Sequence, residues 1–214
     1  MYKKKSFFIV FEGVEGCGKS FQSKILYKKL NKLKINTILT REPGGTKSSE
    51  LIRNLILKDY FSKKKDEKFD KYTDTLLYLA ARNEHVKNKI KPALAKKKIV
   101  ICDRFTDSTL AYQVFGKKVD IKFINSIHKK ILGKLKPNIV FILKVSEKAS
   151  RKRLKKRKIK NRYDNFKQSF YTKAQKSFIK LAQNKKNYFI LDSSKNDNIL
   201  ENKIFKIVEK YLSI

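Results

Sequence analysis

The stretch GVEGCGKS at positions 13–20 constrains the fold of this 214-residue chain more than any other feature. Gly13 is followed by four residues and then by Gly18, Lys19 and Ser20, and the motif separates a strand-like apolar run from a helix-like run. Glycines let the backbone turn its N–H groups toward an anion, and the N-terminus of the following helix adds a positive dipole. The motif therefore predicts a nucleotide-binding P-loop made of Gly13, Val14, Glu15, Gly16, Cys17, Gly18, Lys19 and Ser20.

Three side chains in or near this motif have predicted roles at the phosphates. Lys19 can reach the β- and γ-phosphates of a bound nucleotide, and the Ser20 hydroxyl can ligate Mg²⁺. Asp103 ends the apolar run KIVICD, a common place for a carboxylate that holds Mg²⁺ through water. The alternative role for Asp103 is a helix N-cap, and the two roles do not exclude one another. We therefore expect Mg²⁺ as the cofactor.

The composition indicates one globular domain that covers residues 1–214. Hydrophobic residues make up 41% of the chain, which is long enough to bury a full core, and Pro and Gly are too scarce for a domain boundary. No apolar stretch reaches the roughly 20 residues that span a bilayer, so no membrane partner is expected. The short apolar run near the N-terminus leads straight into the P-loop and is not typical of a signal peptide. With only two cysteines, Cys17 and Cys102, a cytoplasmic protein without a structural disulfide is expected.

The formal net charge of +35 has two interpretations. It could indicate a nucleic-acid partner, or it could reflect a compositional drift toward lysine. The lysines are spread over nearly every predicted surface segment and do not gather on one element, which favours drift. We therefore expect no specific nucleic-acid partner, and any such binding should be weak and sensitive to salt.

Arginine is more informative than lysine in this chain. Only eight of the 54 basic residues are arginine. Lysine cannot replace the planar fork that binds a phosphate or a base edge with two hydrogen bonds, so each arginine is a candidate ligand contact. The eight are Arg41, Arg53, Arg82, Arg104, Arg151, Arg153, Arg157 and Arg162.

Strand-like and helix-like runs alternate along the chain, which predicts an α/β fold. Five apolar runs are expected to be strands, at 6–12, 36–40, 98–103, 137–145 and 187–192. Helices are expected at 19–34, 47–58, about 70–96, 107–115, 120–135, 146–157, about 164–184 and 197–213. Continuous apolar strands are typical of a parallel sheet covered on both faces, with ligands at the carboxyl ends of its strands. The prediction is therefore a doubly wound, parallel five-stranded sheet of the P-loop NTPase type, with helices on both faces.

Three further segments specify the family. TREPGGT (40–46) ends the second predicted strand, DRFTDSTLAYQ (103–113) ends the third, and KKRKIKNRYDNFKQSF (155–170) is basic. Together with FEGVEGCGKS (11–20), their order and spacing resemble thymidylate kinases over essentially the whole chain. The resemblance implies a nucleoside monophosphate kinase-like fold, a homodimer, and transfer of the ATP γ-phosphate to dTMP, giving dTDP for dTTP biosynthesis. The alternatives are another nucleoside monophosphate or deoxynucleoside kinase on this fold, and a nucleic-acid-binding ATPase.

The resemblance also assigns residues to the acceptor phosphate. The phosphate of dTMP is already a nucleophile near neutral pH, because its second pKa is about 6, so catalysis needs positioning and charge neutralisation. Arg104 matches the family arginine that holds this phosphate. Arg53, in the helix predicted after TREPGGT, is a second candidate, and its alternative is a plain surface arginine.

Recognition of the base and sugar is assigned to two predicted helices. Tyr78 and Arg82 are four residues apart and so share a helix face. The resemblance implies that the ring stacks on thymine and that the guanidinium donates to its carbonyl; the alternative is a half-buried tyrosine and a solvent-exposed arginine. Thr109 and Gln113, again four apart, can read the pyrimidine edge. Tyr112 matches a ring that excludes a ribose 2′-hydroxyl.

Two carboxylates and two histidines have less specific assignments. Glu15 matches a family carboxylate near the 3′-hydroxyl of the sugar, whereas Glu12 could be structural. His85 and His128 carry no spacing typical of a metal or catalytic site, and no role is assigned to them.

The resemblance further implies an arginine between donor and acceptor, carried either in the P-loop or in a lid. The four variable P-loop positions hold no arginine, so a lid at about residues 150–166 is expected to supply it. Arg162, in NRYD, is ranked first as this catalytic residue and Arg157 second. The alternative for each is a solvated surface charge.

Overall fold

The computed structural model of the protein describes residues 5–57, 68–156, 168–195 and 198–213. Parallel strands form a five-stranded sheet from β1 (Phe7–Glu12), β2 (Thr37–Arg41), β3 (Ile99–Asp103), β4 (Ile139–Lys144) and β5 (Tyr188–Asp192). The order across the sheet is β2-β3-β1-β4-β5, so β1 lies in the centre between β3 and β4. The predicted parallel sheet is confirmed, and each strand begins and ends within two residues of its predicted bounds.

The register of the sheet brings the sequence motifs together. Every residue of β1 and all but the last of β4 are buried, as expected for central strands covered on both faces. Asp103 at the end of β3 pairs with Phe11 of β1 and with Arg41 of β2. The segments that follow these three strands therefore meet at the carboxyl edge of the sheet, where doubly wound folds bind ligands.

Nine helices are found in the described ranges: α1 (Lys19–Lys32), α2 (Lys47–Leu57), α3 (Lys71–His85), α4 (Lys91–Ala95), α5 (Thr106–Thr109), α6 (Ile121–Leu132), α7 (Glu147–Lys155), α8 (Gln168–Ala182) and α9 (Asn198–Leu212). Asp70, Asp120 and Ser146 are the N-caps of α3, α6 and α7, and each side-chain oxygen accepts a hydrogen bond from a backbone N–H of the first turn. The three helices begin one residue later than predicted because the capping residue itself has non-helical backbone angles.

Two predicted helices are divided in the structure. The helical stretch expected over about 70–96 is confirmed, but within it α3 passes into a π-helical segment, Val86–Ile90, before α4. The helix expected over 107–115 is likewise α5 followed by a second π-helical segment, Leu110–Val114. Pro92 lies just beyond the first segment, and its missing N–H cannot continue an α-helical hydrogen-bond ladder. The second segment carries two predicted site residues, and wide turns of this kind are frequent at functional sites.

Two further expectations concern membranes and disulfides. Across the described ranges, every helix is too short or too polar to cross a bilayer. Cys17 and Cys102 are both buried, free thiols, as expected.

Aromatic rings pack the centre of the sheet. Phe141 in β4 is fully buried, and its ring centroid lies 5.1 Å from that of Phe11 in β1 and 5.9 Å from that of Phe189 in β5. The three rings lie on adjacent strands and contact one another in sequence across the sheet. They therefore contribute to holding β1, and the loop that follows it, against β4 and β5.

Phe141→Ala is expected to lower the free energy of unfolding by about 3–5 kcal/mol, because it removes a fully buried ring and leaves a cavity. Phe115→Ala is the matched control, since that side chain is 40% exposed. For the control, the free energy of unfolding is expected to fall by about 1 kcal/mol or less. Urea unfolding followed by circular dichroism measures both, and equal losses would contradict the central position of Phe141.

Candidate active site

The P-loop forms the floor of the site at the centre of the sheet. It follows β1 directly, and α1 begins at Lys19. Gly13 and Gly16 have φ angles of 139° and 71°, which favour glycine over any residue with a side chain. A Cβ atom on Gly16 would also lie 2.9 Å from the hydroxyl oxygen of Ser150 in α7. Glycine at this position therefore allows the loop and α7 to approach closely.

Side chains from distant parts of the chain hold the carbonyl groups of the loop. Arg104 follows β3, Ser150 and Arg153 lie in α7, and Ser193 follows β5. The hydrogen bonds run from Arg104 Nη1 to Gly13 O (3.0 Å), from Ser150 Oγ to Glu15 O (2.9 Å), from Arg153 Nη1 to Gly16 O (3.1 Å) and from Ser193 Oγ to Cys17 O (2.8 Å). Because these donors hold the carbonyl side of the loop, its N–H groups are left to bind an anion.

Lys19 lies inside the P-loop. Its Nζ atom donates to the carbonyl oxygens of Gly13 at 2.9 Å and Val14 at 2.8 Å, and the side chain is buried. The ammonium group is thereby held within the loop, where the motif predicts contact with the β- and γ-phosphates.

The two predicted metal ligands are neighbours. The hydroxyl of Ser20 donates to Oδ2 of Asp103, and Oδ1 of Asp103 is buried without a hydrogen-bond partner among the described residues. Within those same ranges, no three His, Cys, Asp or Glu side chains cluster as a metal site. Mg²⁺ needs no such cluster, because it usually combines one or two carboxylates with waters and substrate phosphates. A hydroxyl beside a carboxylate with an unused buried oxygen fits this ion.

The alternative role of Asp103 as a helix N-cap is wrong, because Glu12 supplies that function. Oε1 of Glu12 accepts from the N–H groups of Phe105 at 2.7 Å and Ser108 at 3.1 Å, and its Oε2 accepts from the Ser108 hydroxyl at 2.6 Å. Burial, helped by the charge of Asp107, raises the pKa of Glu12 to about 7. Glu12 is therefore structural: it ties the start of α5 to the end of β1.

Arg104 and Tyr112 both bind Glu15 of the P-loop, in a largely buried triangle. Arg104 Nη2 donates to Oε1 of Glu15 at 2.7 Å, and the Tyr112 hydroxyl donates to Oε2 at 2.6 Å. The guanidinium carbon of Arg104 also lies 5.4 Å from the centre of the Tyr112 ring. Burial alone would raise the pKa of Glu15, but the charges of Arg104 and Lys19 outweigh it and lower that pKa. Glu15 is therefore ionised and links the loop to both groups.

Arg53 lines the same cavity and is not a plain surface arginine. Its side chain is 20% exposed, and Nη1 donates to the carbonyl oxygen of Pro43 at 2.5 Å. Burial, together with the nearby charge of Arg41, lowers the pKa of Arg53. Arg41 lines the cavity as well and donates to Glu50 at 3.1 Å. Two guanidinium groups thus border the cavity near Asp103.

The four residues predicted to read the base lie in one wall of the cavity: Tyr78, Arg82, Thr109 and Gln113. Tyr78 is half-buried, whereas Arg82, Thr109 and Gln113 are almost fully buried. Nε2 of Gln113 has no hydrogen-bond partner in the described part of the chain. The alternative of a solvent-exposed Arg82 is therefore wrong.

Arg82 is held by a buried polar network, and apart from Thr109 its members were not predicted as site residues. Nε donates to Oε2 of Glu42 at 2.7 Å, and Nη1 donates to Nε2 of His128 at 2.7 Å. Nδ1 of His85 lies 3.0 Å from Oε1 of Glu42. Nε2 of the same histidine lies 2.6 Å from Oγ1 of Thr40. Burial would raise the pKa of Glu42, but Arg82 and His85 outweigh it and lower that pKa.

Two of these missed residues, Thr40 and Glu42, carried a sequence signal, because both lie in TREPGGT. Glu42 is the acidic residue of TREPGGT, flanked by Arg41 and Pro43, and the motif that singled out its neighbours could have singled it out too. His85 and His128 have no such signal, because their partners are at least 40 residues away in the sequence.

Arginine was a useful guide to the site. Six of the eight arginines lie in the described residues, and Arg41, Arg53, Arg82, Arg104 and Arg153 line the cavity. The sixth, Arg151, is exposed and pairs with Glu147 on the same helix. Arg157 and Arg162, the two candidates for the catalytic lid arginine, lie outside the described residues, so their roles remain predictions.

The whole chain is similar to proteins of one family. The sequence model of that family, Thymidylate kinase, matches residues 11–204. A thymidylate kinase of Aster yellows witches'-broom phytoplasma (strain AYWB) is 41% identical over 209 residues, which are 96% of each chain. A thymidylate kinase of Wolbachia pipientis wMel is 40% identical over 202 residues, 92% of this chain and 97% of the relative. The crystal structure of thymidylate kinase from Ehrlichia chaffeensis, 31% identical, matches with a TM-score of 0.74 over 95% of this chain and 99% of the other. With its parallel sheet, its P-loop and these similarities, the chain belongs to the thymidylate kinase family.

Proposed function

We propose that this protein phosphorylates dTMP to dTDP, with ATP as the phosphoryl donor, as a step toward dTTP. The observation that carries the proposal is a continuous cavity that joins the P-loop to a wall of hydrogen-bonding side chains. Lys19 and Ser20 lie at the P-loop end, and Arg82, Thr109 and Gln113 lie in the wall. The cavity volume of about 550 Å³ is in the range of small-molecule sites.

The wall offers hydrogen-bond donors that suit a thymine base. Oγ1 of Thr109 accepts from Arg82 at 2.7 Å, so its own hydroxyl proton is available to a ligand. Nε2 of Gln113 adds a second donor, and Arg82 retains one N–H on Nη2 beyond its bond to Phe105 O at 2.8 Å. Thymine presents two carbonyl oxygens that can accept from such groups, and the ring of Tyr78 would stack on the base.

Arg104 and Arg53 would hold the acceptor phosphate. Phosphoryl transfer requires little covalent chemistry from the protein, so alignment and charge neutralisation supply most of the catalysis. Arg104 is fixed by three hydrogen bonds, to Gly13, Ser108 and Glu15. A guanidinium fixed in this way can align a phosphate next to the P-loop without losing much conformational entropy.

Ser20 and Asp103 would hold Mg²⁺, which would neutralise charge on the β- and γ-phosphates of ATP.

Glu15 and Tyr112 would contact the sugar, Glu15 near the 3′-hydroxyl and the Tyr112 ring at the 2′-carbon. Arg162, or secondarily Arg157, would stabilise the charge that develops between donor and acceptor. Arg153 cannot easily serve in that role, because its guanidinium donates to Gly16 and to the carbonyls of Ser193 and Ser194.

The proposed setting is a cytoplasmic homodimer without a specific nucleic-acid or membrane partner. Leu51 and Leu55 in α2 and Tyr72 and Leu76 in α3 are all exposed, and the two helices pack against each other. The two exposed residues of each helix are four positions apart and share a face, and exposed apolar faces on two packed helices favour a protein interface. In the described residues the exposed lysines are spread over many elements, which does not favour one binding face for a nucleic acid.

A substrate panel tests the proposed function. ADP release is measured with dTMP, dUMP, dCMP and thymidine as acceptors. The value of kcat/KM is expected to be highest for dTMP, and about tenfold or more above dUMP, which lacks one methyl group. Preference for any other acceptor would overturn the substrate, and strong stimulation of ATP hydrolysis by DNA or RNA would favour the nucleic-acid-binding ATPase.

Tyr112 variants test the exclusion of ribonucleotides. Tyr112→Ala is expected to reduce the preference for dTMP over the thymine ribonucleotide by about tenfold, since it removes the ring that blocks a 2′-hydroxyl. Tyr112→Phe keeps the ring and should keep this preference. It removes a hydrogen bond to ionised Glu15 worth about 1.5–3 kcal/mol, so its melting temperature should fall. If Tyr112→Ala discriminates against the ribonucleotide as strongly as the parent does, the sugar does not bind against the Tyr112 ring.

Arg162→Lys tests the lid arginine. Lysine keeps the charge but loses the planar fork, so kcat is expected to fall by roughly tenfold or more, about 1.4 kcal/mol of transition-state stabilisation. Binding of dTMP, measured by calorimetry, should hardly change. Arg151→Lys is the matched control, because Arg151 is exposed, pairs with Glu147 along its own helix and does not line the cavity. An Arg162→Lys variant with parental kcat and weakened dTMP binding would assign this arginine to the acceptor.

A further inference from the structure

Arg82 is fixed from behind the cavity by a side chain that lies outside the cavity wall. His128, in α6, is buried and 2.7 Å from Nη1 of Arg82. We infer that His128 is a positioning residue for base recognition, which holds the guanidinium of Arg82 so that its remaining N–H faces the base. The inference rests on the proposed function, because it takes dTMP as the acceptor.

The hydrogen bonds of Arg82 account for four of its five N–H donors. Nε donates to Glu42, Nη1 donates to both Thr109 and His128, and Nη2 donates to the carbonyl of Phe105. The guanidinium also lies over the Phe105 ring, 5.5 Å from its centre. Among the described residues, the fifth N–H, on Nη2, has no protein acceptor, and Arg82 lines the cavity. One donor is therefore left for a ligand, and its direction is set by the other four.

The chemistry of the Arg82–His128 contact assigns the proton on the ring. A guanidinium can only donate, so Nε2 of His128 must accept, and the ring proton lies on Nδ1. Burial and the positive charge of Arg82 lower the pKa of His128 to about 3. The imidazole is therefore a neutral acceptor over the range in which enzymes of this kind work.

A neutral acceptor suits this position better than a second carboxylate. Glu42 already balances the charge of Arg82 at 2.7 Å, and another anion would leave an uncompensated negative charge in the core. His128 instead satisfies a buried N–H without adding charge. The two histidines therefore act on different partners: His85 binds Glu42, and His128 binds Arg82 directly.

The loss of His128 should affect the base and spare the phosphates. An Nη1–H without an acceptor would turn toward another partner, and the planar guanidinium would carry the Nη2–H with it. The P-loop contacts of Lys19 and Arg104 share no atom with this network. Recognition of the acceptor base should therefore weaken while ATP binding stays unchanged.

The test compares His128→Leu, His128→Gln and the parent in steady-state kinetics with dTMP and with dCMP, whose base has an amino group in place of one thymine carbonyl and lacks the methyl group. For His128→Leu, KM for dTMP should rise about tenfold, and the preference for dTMP over dCMP should fall about tenfold, as when a buried hydrogen-bonding site loses its geometry. Both kcat and KM for ATP should change by less than about twofold. His128→Gln, whose amide oxygen can accept from Arg82, should restore most of the parental values. Lys129→Gln, an exposed neighbour in α6, is the matched control and should be unchanged.

The outcomes separate the inference from the proposed function. A parent that does not phosphorylate dTMP would refute the proposed function itself. If the parent is active, two results for His128→Leu would refute the role of His128. One is a KM for dTMP and a base preference equal to those of the parent. The other is a loss in kcat and in KM for ATP as large as the loss in KM for dTMP. Nitrogen-15 NMR of the histidine ring gives a readout on the unaltered protein. It should show a neutral ring protonated on Nδ1 at pH 6 to 8, and a charged ring there would overturn the inference even if His128→Leu does not fold.

Discussion

The site depends on how the backbone of the P-loop is held. The carbonyl groups of residues 13–17 accept hydrogen bonds from side chains in α1 and α7 and from residues that follow β3 and β5. A buried carbonyl without a partner costs about 1–3 kcal/mol, so several such losses would exceed much of the stability of a typical domain. Because the donors come from both sides of the central strand, the shape of the loop depends on the segments that follow β3, β4 and β5 being in place.

A second constraint is the balance of charge around the cavity. The chain has 54 basic and 19 acidic residues, yet Arg82 and Arg104, two arginines of the cavity with little exposure, each have a carboxylate partner. Glu42 pairs with Arg82 and Glu15 with Arg104, because a guanidinium cannot be buried without a counter-charge except at great cost. The excess lysines lie mainly on the surface, where their ammonium groups remain solvated. The protein is therefore strongly basic outside, and its cavity is basic too, but Arg82 and Arg104 are each matched by a carboxylate.

The fold and most of the site were predictable because their signals are local. Continuous apolar runs mark buried parallel strands, and motifs at the ends of those strands must meet at one edge of the sheet. The π-helical segments were missed because a window of helical periodicity does not distinguish a wide turn from an ordinary one. The role of His128 was missed for another reason: its contact with Arg82 joins residues 46 positions apart, and no local pattern encodes it. Glu42 was missed although it lies in TREPGGT, because its partner Arg82 is 40 positions away. Arg162 stays a prediction, since it lies outside the described residues.

Glu15 belongs to the P-loop, yet both of its carboxylate oxygens are bound by residues assigned to the acceptor, one by Arg104 and the other by Tyr112. When the acceptor draws Arg104 or Tyr112 toward itself, the electric field at Glu15 changes. Because Glu15 belongs to the P-loop, the field at the ATP site changes as well. Such a shared ion pair couples two binding equilibria, and the coupling is reciprocal by thermodynamic necessity. Whatever factor ATP applies to the affinity for the acceptor, the acceptor must apply to the affinity for ATP.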